Sequence, residues 1–146
     1  MLWGTFGVGA PVSAAPRGIP APVAADGARI ERVSMQTPTR ALVRVYSPAM
    51  RKQIGVTVLL PRNRSRPAPT LYLLDGIDGG VYTGYTQSGW TIQTDVVKFM
   101  ADKPVNVVLP IGGTASYYTD WRTSDPVLQN NKWETFLTKE LPPLID

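Results

Sequence analysis

The sequence predicts an α/β fold: an antiparallel hairpin at the edge of a sheet whose remaining strands run parallel and are joined by crossover helices. Three observations predict it. Two short, continuous apolar runs, Thr70-Leu71-Tyr72-Leu73-Leu74 and Val105-Asn106-Val107-Val108-Leu109, end in turn residues and suit strands buried on both faces. A helical spacing of Val96, Val97 and Met100 lies between them. Two β-branched runs joined by a short link precede both.

The hairpin comes first in the folded part. Ala41-Leu42-Val43-Arg44-Val45-Tyr46 is β-branched and aromatic, and Ser47-Pro48 breaks it. Residues 53–60, with Ile54, Val56, Val58, Leu59 and Leu60, give a second strand that stops at Pro61. The short link makes the pair antiparallel. Residues 94–101 offer a helix that Thr94 or Asp95 can start, so that a buried strand, a helix and a buried strand make one βαβ unit. A last helix is expected over residues 132–141, with Asn131 as its cap, Glu134 at N3, and Trp133, Phe136, Leu137 and Leu141 as its apolar face. The alternation calls for a further parallel strand. The expectation is therefore a partial fold whose sheet ends on an unpaired edge, prone to aggregation.

Residues 1–28 are rich in Ala, Gly and Pro. A mildly apolar stretch and the small-residue site Val12-Ser13-Ala14 fit a signal-peptide remnant, and a disordered linker fits equally. No stretch approaches the roughly 20 apolar residues of a membrane span.

Composition narrows the function. With 43% apolar and 18% charged residues the chain is of the globular class. The net charge of +4 is spread along the chain; Arg62, Arg64 and Arg66 are punctuated by prolines and read as a solvated loop, so no nucleic-acid partner is expected. No metal-ligand cluster is visible and no cofactor is expected. Gly112-Gly113 lacks the context of a dinucleotide site. Trp121, Trp133 and Phe136 are read as core, and Asp120 and Glu134 as hydrogen-bonding and capping groups, not an acid pair. The chain has no cysteine and no histidine. Serine–histidine–acid catalysis needs an imidazole, so these residues alone cannot run it, and the 146-residue chain should hydrolyse no p-nitrophenyl ester above a protein blank.

Several blocks then carry a likeness in one register: Ser47-Pro48-Ala49-Met50, Leu71-Tyr72-Leu73-Leu74-Asp75-Gly76-Ile77, Gly89-Trp90-Thr91-Ile92-Gln93-Thr94, Val108-Leu109-Pro110-Ile111-Gly112-Gly113, Ser116-Tyr117-Tyr118-Thr119-Asp120-Trp121, and the run from Lys132 to Pro142. Over residues 41–146 the chain resembles the mycolyltransferases, secreted esterase-type enzymes of bacteria that carry mycolic acids. The resemblance implies that residues 29–146 are the N-terminal half of an α/β-hydrolase domain, truncated before the nucleophile elbow. It also implies a Ser-Glu-His triad supplied elsewhere, a lipid acyl donor, trehalose or another cell-wall sugar as acceptor, and a secreted or cell-envelope location with cell-wall or extracellular-matrix contact. A catalytically silent homologue that binds in the cell envelope is the alternative.

The turn Asp75-Gly76-Ile77-Asp78 follows a strand at its carboxyl end, where α/β sheets place ligands. Read from the residues alone it is an ordinary Asp-Gly turn. The resemblance assigns it more: the main-chain N–H of Ile77 becomes the oxyanion donor, worth about 3 kcal/mol, and Asp75, Gly76, Ile77 and Asp78 contact substrate, Asp75 accepting from sugar hydroxyls. Three features depart from the family. Asp78 stands where a basic residue is usual, residues 81–87 lengthen the loop, and the segment of the family's disulfide loop, residues 125–130, has no cysteine.

Overall fold

The computed structural model describes residues 23–146, and alternation of apolar side chains organises its single sheet. The strands β1 (Arg29–Thr37), β2 (Arg40–Ser47), β3 (Lys52–Leu59), β4 (Thr70–Tyr72) and β5 (Asn106–Ile111) stand in the order β1-β2-β3-β5-β4. β1, β2, β3 and β5 pair antiparallel in turn, and β4 pairs parallel with β5. The expected βαβ unit is thus present.

Ala41, Val43 and Val45 of β2 lie opposite Val58, Val56 and Ile54 of β3, so one face of the sheet is a buried apolar surface. The C-terminal helical segments cover it with Trp133, Phe136, Leu141 and Leu144. On the other face Leu59, Val107 and Leu109 pack under Val96 of the crossover. β5 carries apolar side chains to both faces, as its unbroken run requires; Val107, Val108 and Leu109 are all fully buried.

Several expectations need correction. The hairpin of β2 and β3 is not at the edge. β1 covers it, and the sequence reading missed β1 because Arg29, Glu31, Arg32 and Gln36 interrupt its apolar period and nearly all of the strand is exposed. β4 is not buried on both faces: it is the outermost strand, and Leu71 is 37% exposed. The helix expected over residues 94–101 is only a short α2 (Val96–Phe99), preceded by a separate α1 (Gly89–Gln93). Thr94 is extended between them and its hydroxyl accepts from the Val96 amide, while Pro104 disfavours helix just before it.

The last helix is composite: α3 (Trp133–Thr135), a π-helical turn (Phe136–Glu140) and α4 (Pro142–Ile145). Asn131 does not cap it, because its side-chain oxygen accepts from the Trp133 indole instead. Asp120 takes the capping part, accepting from the Thr135 amide at 3.0 Å and the Thr135 hydroxyl at 2.6 Å. Burial works against its charge, but these bonds hold the Asp120 carboxyl below the usual range. Trp133 and Phe136 are core as expected, whereas Trp121 is half-buried, its indole N–H donating to the Ser116 carbonyl.

The signal-peptide or linker reading of residues 1–28 lies outside the described residues over 1–22. From Val23 to Ala28 the chain makes a turn closed by the Ala24 amide on the Ala28 carbonyl at 2.7 Å, and both alanines are buried. Among the described residues, no helix is long and apolar enough to cross a membrane.

Candidate active site

The ladder between β4 and β5 runs one bond past Tyr72, from the Leu73 amide to the Val108 carbonyl. The chain then leaves the sheet through Leu74 and turns at Asp75. Asp75 is buried. One of its carboxylate oxygens accepts from the Ser88 hydroxyl at 2.6 Å; the other, Oδ2, is buried with no hydrogen-bond partner among the described residues. Ser88 is itself fully buried and accepts from the Trp90 amide, capping α1. The Trp90 indole donates to the Leu74 carbonyl at 2.8 Å. Two bonds therefore fix α1 against the turn.

Three carbonyls of the turn are engaged. Gly76 accepts from the Gly79 amide, Ile77 from the Ala115 amide at 2.9 Å, and Asp78 from the Val81 amide and the Thr114 hydroxyl. The amide of Ile77 donates to no acceptor among the described residues. The turn is thus held by its carbonyls and its side chains, leaving that N–H available. The Ile77 side chain is 69% exposed.

Two hollows of about 250 Å³ each flank the turn. Asp75, Gly76, Asp78, Tyr82, Trp90 and Gln93 contribute to the first, and Asp75, Gly76, Ile77, Gly113, Tyr117 and Tyr118 to the second. The four residues singled out in the sequence are therefore brought together, with Asp75 and Gly76 in both walls.

The opposing loop was not foreseen. Ala115, Tyr117 and Tyr118 all have left-handed backbones, with φ of 52°, 55° and 53°. Such conformations cost non-glycine residues about 1–3 kcal/mol each and persist only where the surroundings hold them. Here Tyr118 donates its hydroxyl to the Gly112 carbonyl at 3.2 Å, and its ring meets Trp133 edge-on. Burial, with the negative Asp75 nearby, pushes the Tyr118 hydroxyl up to about 12, so it stays protonated. Gly112-Gly113 was the available signal: Gly113 at φ 85° lets the loop fold back so closely that a Cβ there would lie 2.5 Å from the Tyr118 ring.

The esterase family model matches residues 47–146, from the end of β2 through both walls of this site. The chain belongs to this esterase family. Within this family it is 38% identical over 103 residues to the diacylglycerol acyltransferase/mycolyltransferase Ag85A of Mycobacterium leprae, a match covering 68% of this chain and 29% of that relative. It is 37% identical over 103 residues to Ag85B of Mycolicibacterium smegmatis, covering 67% and 29%. An S-formylglutathione hydrolase from Agrobacterium tumefaciens shares the fold, with a TM-score of 0.54 at 17% identity over 80% of this chain and 46% of that one. The chain spans about 29% of the length of the curated relatives it matches.

Proposed function

We propose that this chain supplies one oxyanion donor and part of the acceptor pocket of a serine acyltransferase or esterase of the mycolyltransferase type. The reaction moves a mycolyl or other long-chain acyl group onto trehalose or another cell-wall sugar, through an acyl-serine intermediate, outside the cell or in its envelope. The free amide of Ile77 carries the reading. It lies in a turn at the carboxyl end of a parallel strand, where α/β sheets present reacting groups.

An oxyanion donor must be held before the charge develops. The engaged carbonyls of Gly76, Ile77 and Asp78 do this for the Ile77 amide. Asp75 serves the acceptor: Ser88 fixes its carboxylate, which borders both hollows beside the turn. Asp78 stands in the same wall, so the acceptor meets two carboxylates and no cation from this turn. The sequence contains no histidine and no Gly-x-Ser-x-Gly, so the attacking serine and its base come from residues outside these 146.

A chimera continuing this chain with the remainder of the Mycobacterium leprae relative tests the assignment. Ile77→Pro removes the N–H and should lower kcat for ester hydrolysis by about 10²-fold or more with KM little changed. Ile77→Ala keeps the N–H and should stay near the parent. Equal activity of the two variants would remove the oxyanion assignment. Asp75→Asn in the same chimera should raise KM for the sugar acceptor about tenfold, by losing a charge-assisted acceptor, while leaving hydrolysis in water closer to the parent. An unchanged KM would take the acceptor role from Asp75.

A further inference from the structure

A third cavity, of about 280 Å³, opens at the end of the sheet where β5 finishes, and two cations line it without any carboxylate. Arg44 of β2 and Lys52 at the start of β3 are those cations. Arg44 lies opposite Gly55 in the β2–β3 ladder, and its guanidinium occupies the space a side chain would fill. A Cβ at Gly55 would come within 3.0 Å of Arg44 Nη1.

Neither cation is compensated. The ion pairs among the described residues are Arg29–Glu31 and Lys103–Asp102. Glu31 shares a neighbouring hollow with Arg44, but its carboxylate is engaged by Arg29 and the Gln53 amide. Arg44 and Lys52 donate side-chain hydrogen bonds to nothing among the described residues, and neither does the Gln129 side chain in the same wall. Gln129 is held there at φ 61°. The other polar groups are already satisfied: Asn131 pairs with Trp133 and Leu128, and the Thr114 hydroxyl with the Asp78 carbonyl. Burial without a counter-ion lowers the pKa of the Lys52 ammonium, which is the cost a bound anion would relieve.

We propose that this cavity is a phosphate-binding site formed by Arg44, Lys52 and Gln129. The guanidinium offers a planar fork that matches two phosphate oxygens, the ammonium adds a compact charge, and the amide adds a neutral donor. Ile54, Ile111 and Trp133 in the same wall leave an apolar surface beside the anion. Gly113 belongs to both this cavity and the second hollow of the turn, so the site adjoins the proposed acyl-transfer site without using Asp75, Ile77 or Asp78. The proposal does not depend on that function.

The test uses the chimera of this chain with the remainder of the Mycobacterium leprae relative and inorganic phosphate at constant ionic strength, followed by amide chemical shifts. Phosphate should give saturable shifts at Gly55, Gly113 and Gln129. R44Q and K52Q should each weaken binding about tenfold or more, the loss typical of one charge-assisted bond, and the double variant should abolish it. R51Q removes the neighbouring exposed cation and should bind as the parent does. The dispersion of each variant's free spectrum reports its folding separately. Linear shifts, equal binding by the double variant, or acetate binding as tightly as phosphate would each overturn the proposal. Sedimentation with phosphatidylglycerol vesicles identifies the source of the group. R44Q-sensitive co-sedimentation makes it a lipid headgroup, and saturable binding of inorganic phosphate without co-sedimentation makes it a soluble phosphate.

Discussion

Gly79→Ala should destabilise the chain by about 3–5 kcal/mol, a large part of the stability of an ordinary domain. Two costs combine. Gly79 has φ 52°, so any side chain there is strained. Its Cβ would also stand 2.5 Å from the Thr114 amide nitrogen and 2.7 Å from the Gly112 carbonyl oxygen, both backbone atoms that cannot swing away. The turn that carries Asp75 and Ile77 touches the 112–118 loop at this point. Three bonds bind the same two segments: the Ala115 amide to the Ile77 carbonyl, the Thr114 hydroxyl to the Asp78 carbonyl, and Tyr85 to Thr114. A methyl at Gly79 pushes them apart. Gly84→Ala separates the two costs, since Gly84 has φ 60° and nothing within 4 Å; it should lose only about 1 kcal/mol. Urea unfolding of both variants reads the difference. A Gly79→Ala loss no larger than that of Gly84→Ala would show that the two loops are not locked together.

The distinction between local and non-local causes explains what was legible in the sequence. β2, β3 and β5 declare themselves because their apolar pattern reflects a face each strand buries by itself. The turn after β4 was found because Asp-Gly following an apolar run is a local signal and the family likeness gave it a meaning. β1 carries no such pattern. It exists because β2 offers it a ladder, and that partner is invisible from residues 29–37 alone. The exposure of β4 depends on its place in the strand order, which its three residues do not encode. Ser88 reads as a polar loop residue until Asp75 is placed against it. The left-handed backbones at Tyr117 and Tyr118 run against residue preference. At Tyr118 the Trp133 ring and the close approach of Gly113 hold the loop in place.

Glu140 shows the same limit most sharply, and it gives the second large effect. The spacing that marks Trp133 and Phe136 as core puts Glu140 on the same side of the helix, where a carboxylate is unexpected; it is 1% exposed. It accepts from the Ser47 hydroxyl and from the Ala49 amide, and so joins the last helix to the turn between β2 and β3. No cation accompanies it among the described residues. Glu140→Ala should cost about 3–5 kcal/mol, because two hydrogen bonds to a charged group are lost and a buried hydroxyl and a half-buried amide are left unpaired. The pH dependence has a definite sign. Burial raises the Glu140 pKa above 4.5, Ser47 and Ala49 pull it back, and Asp26 and Asp120 push it up again. With the folded value above the unfolded one, the folded chain holds the proton more tightly. The stability this group contributes is complete below the unfolded pKa and is lost as pH rises through the folded one. Asp120, held low, works in the opposite direction, so the comparison must be a difference between proteins. Glu140→Gln cannot titrate. Its oxygen can still accept from Ala49, and its amide can donate to the Ser47 oxygen, which already accepts from the Met50 amide. The stability of the parent minus that of Glu140→Gln should therefore decline as pH is raised from 4 towards 7 in a series of urea titrations. A difference that stayed flat or grew across that range would mean that Glu140 is charged at no cost, and that this buried carboxylate has a compensating cation beyond the residues described.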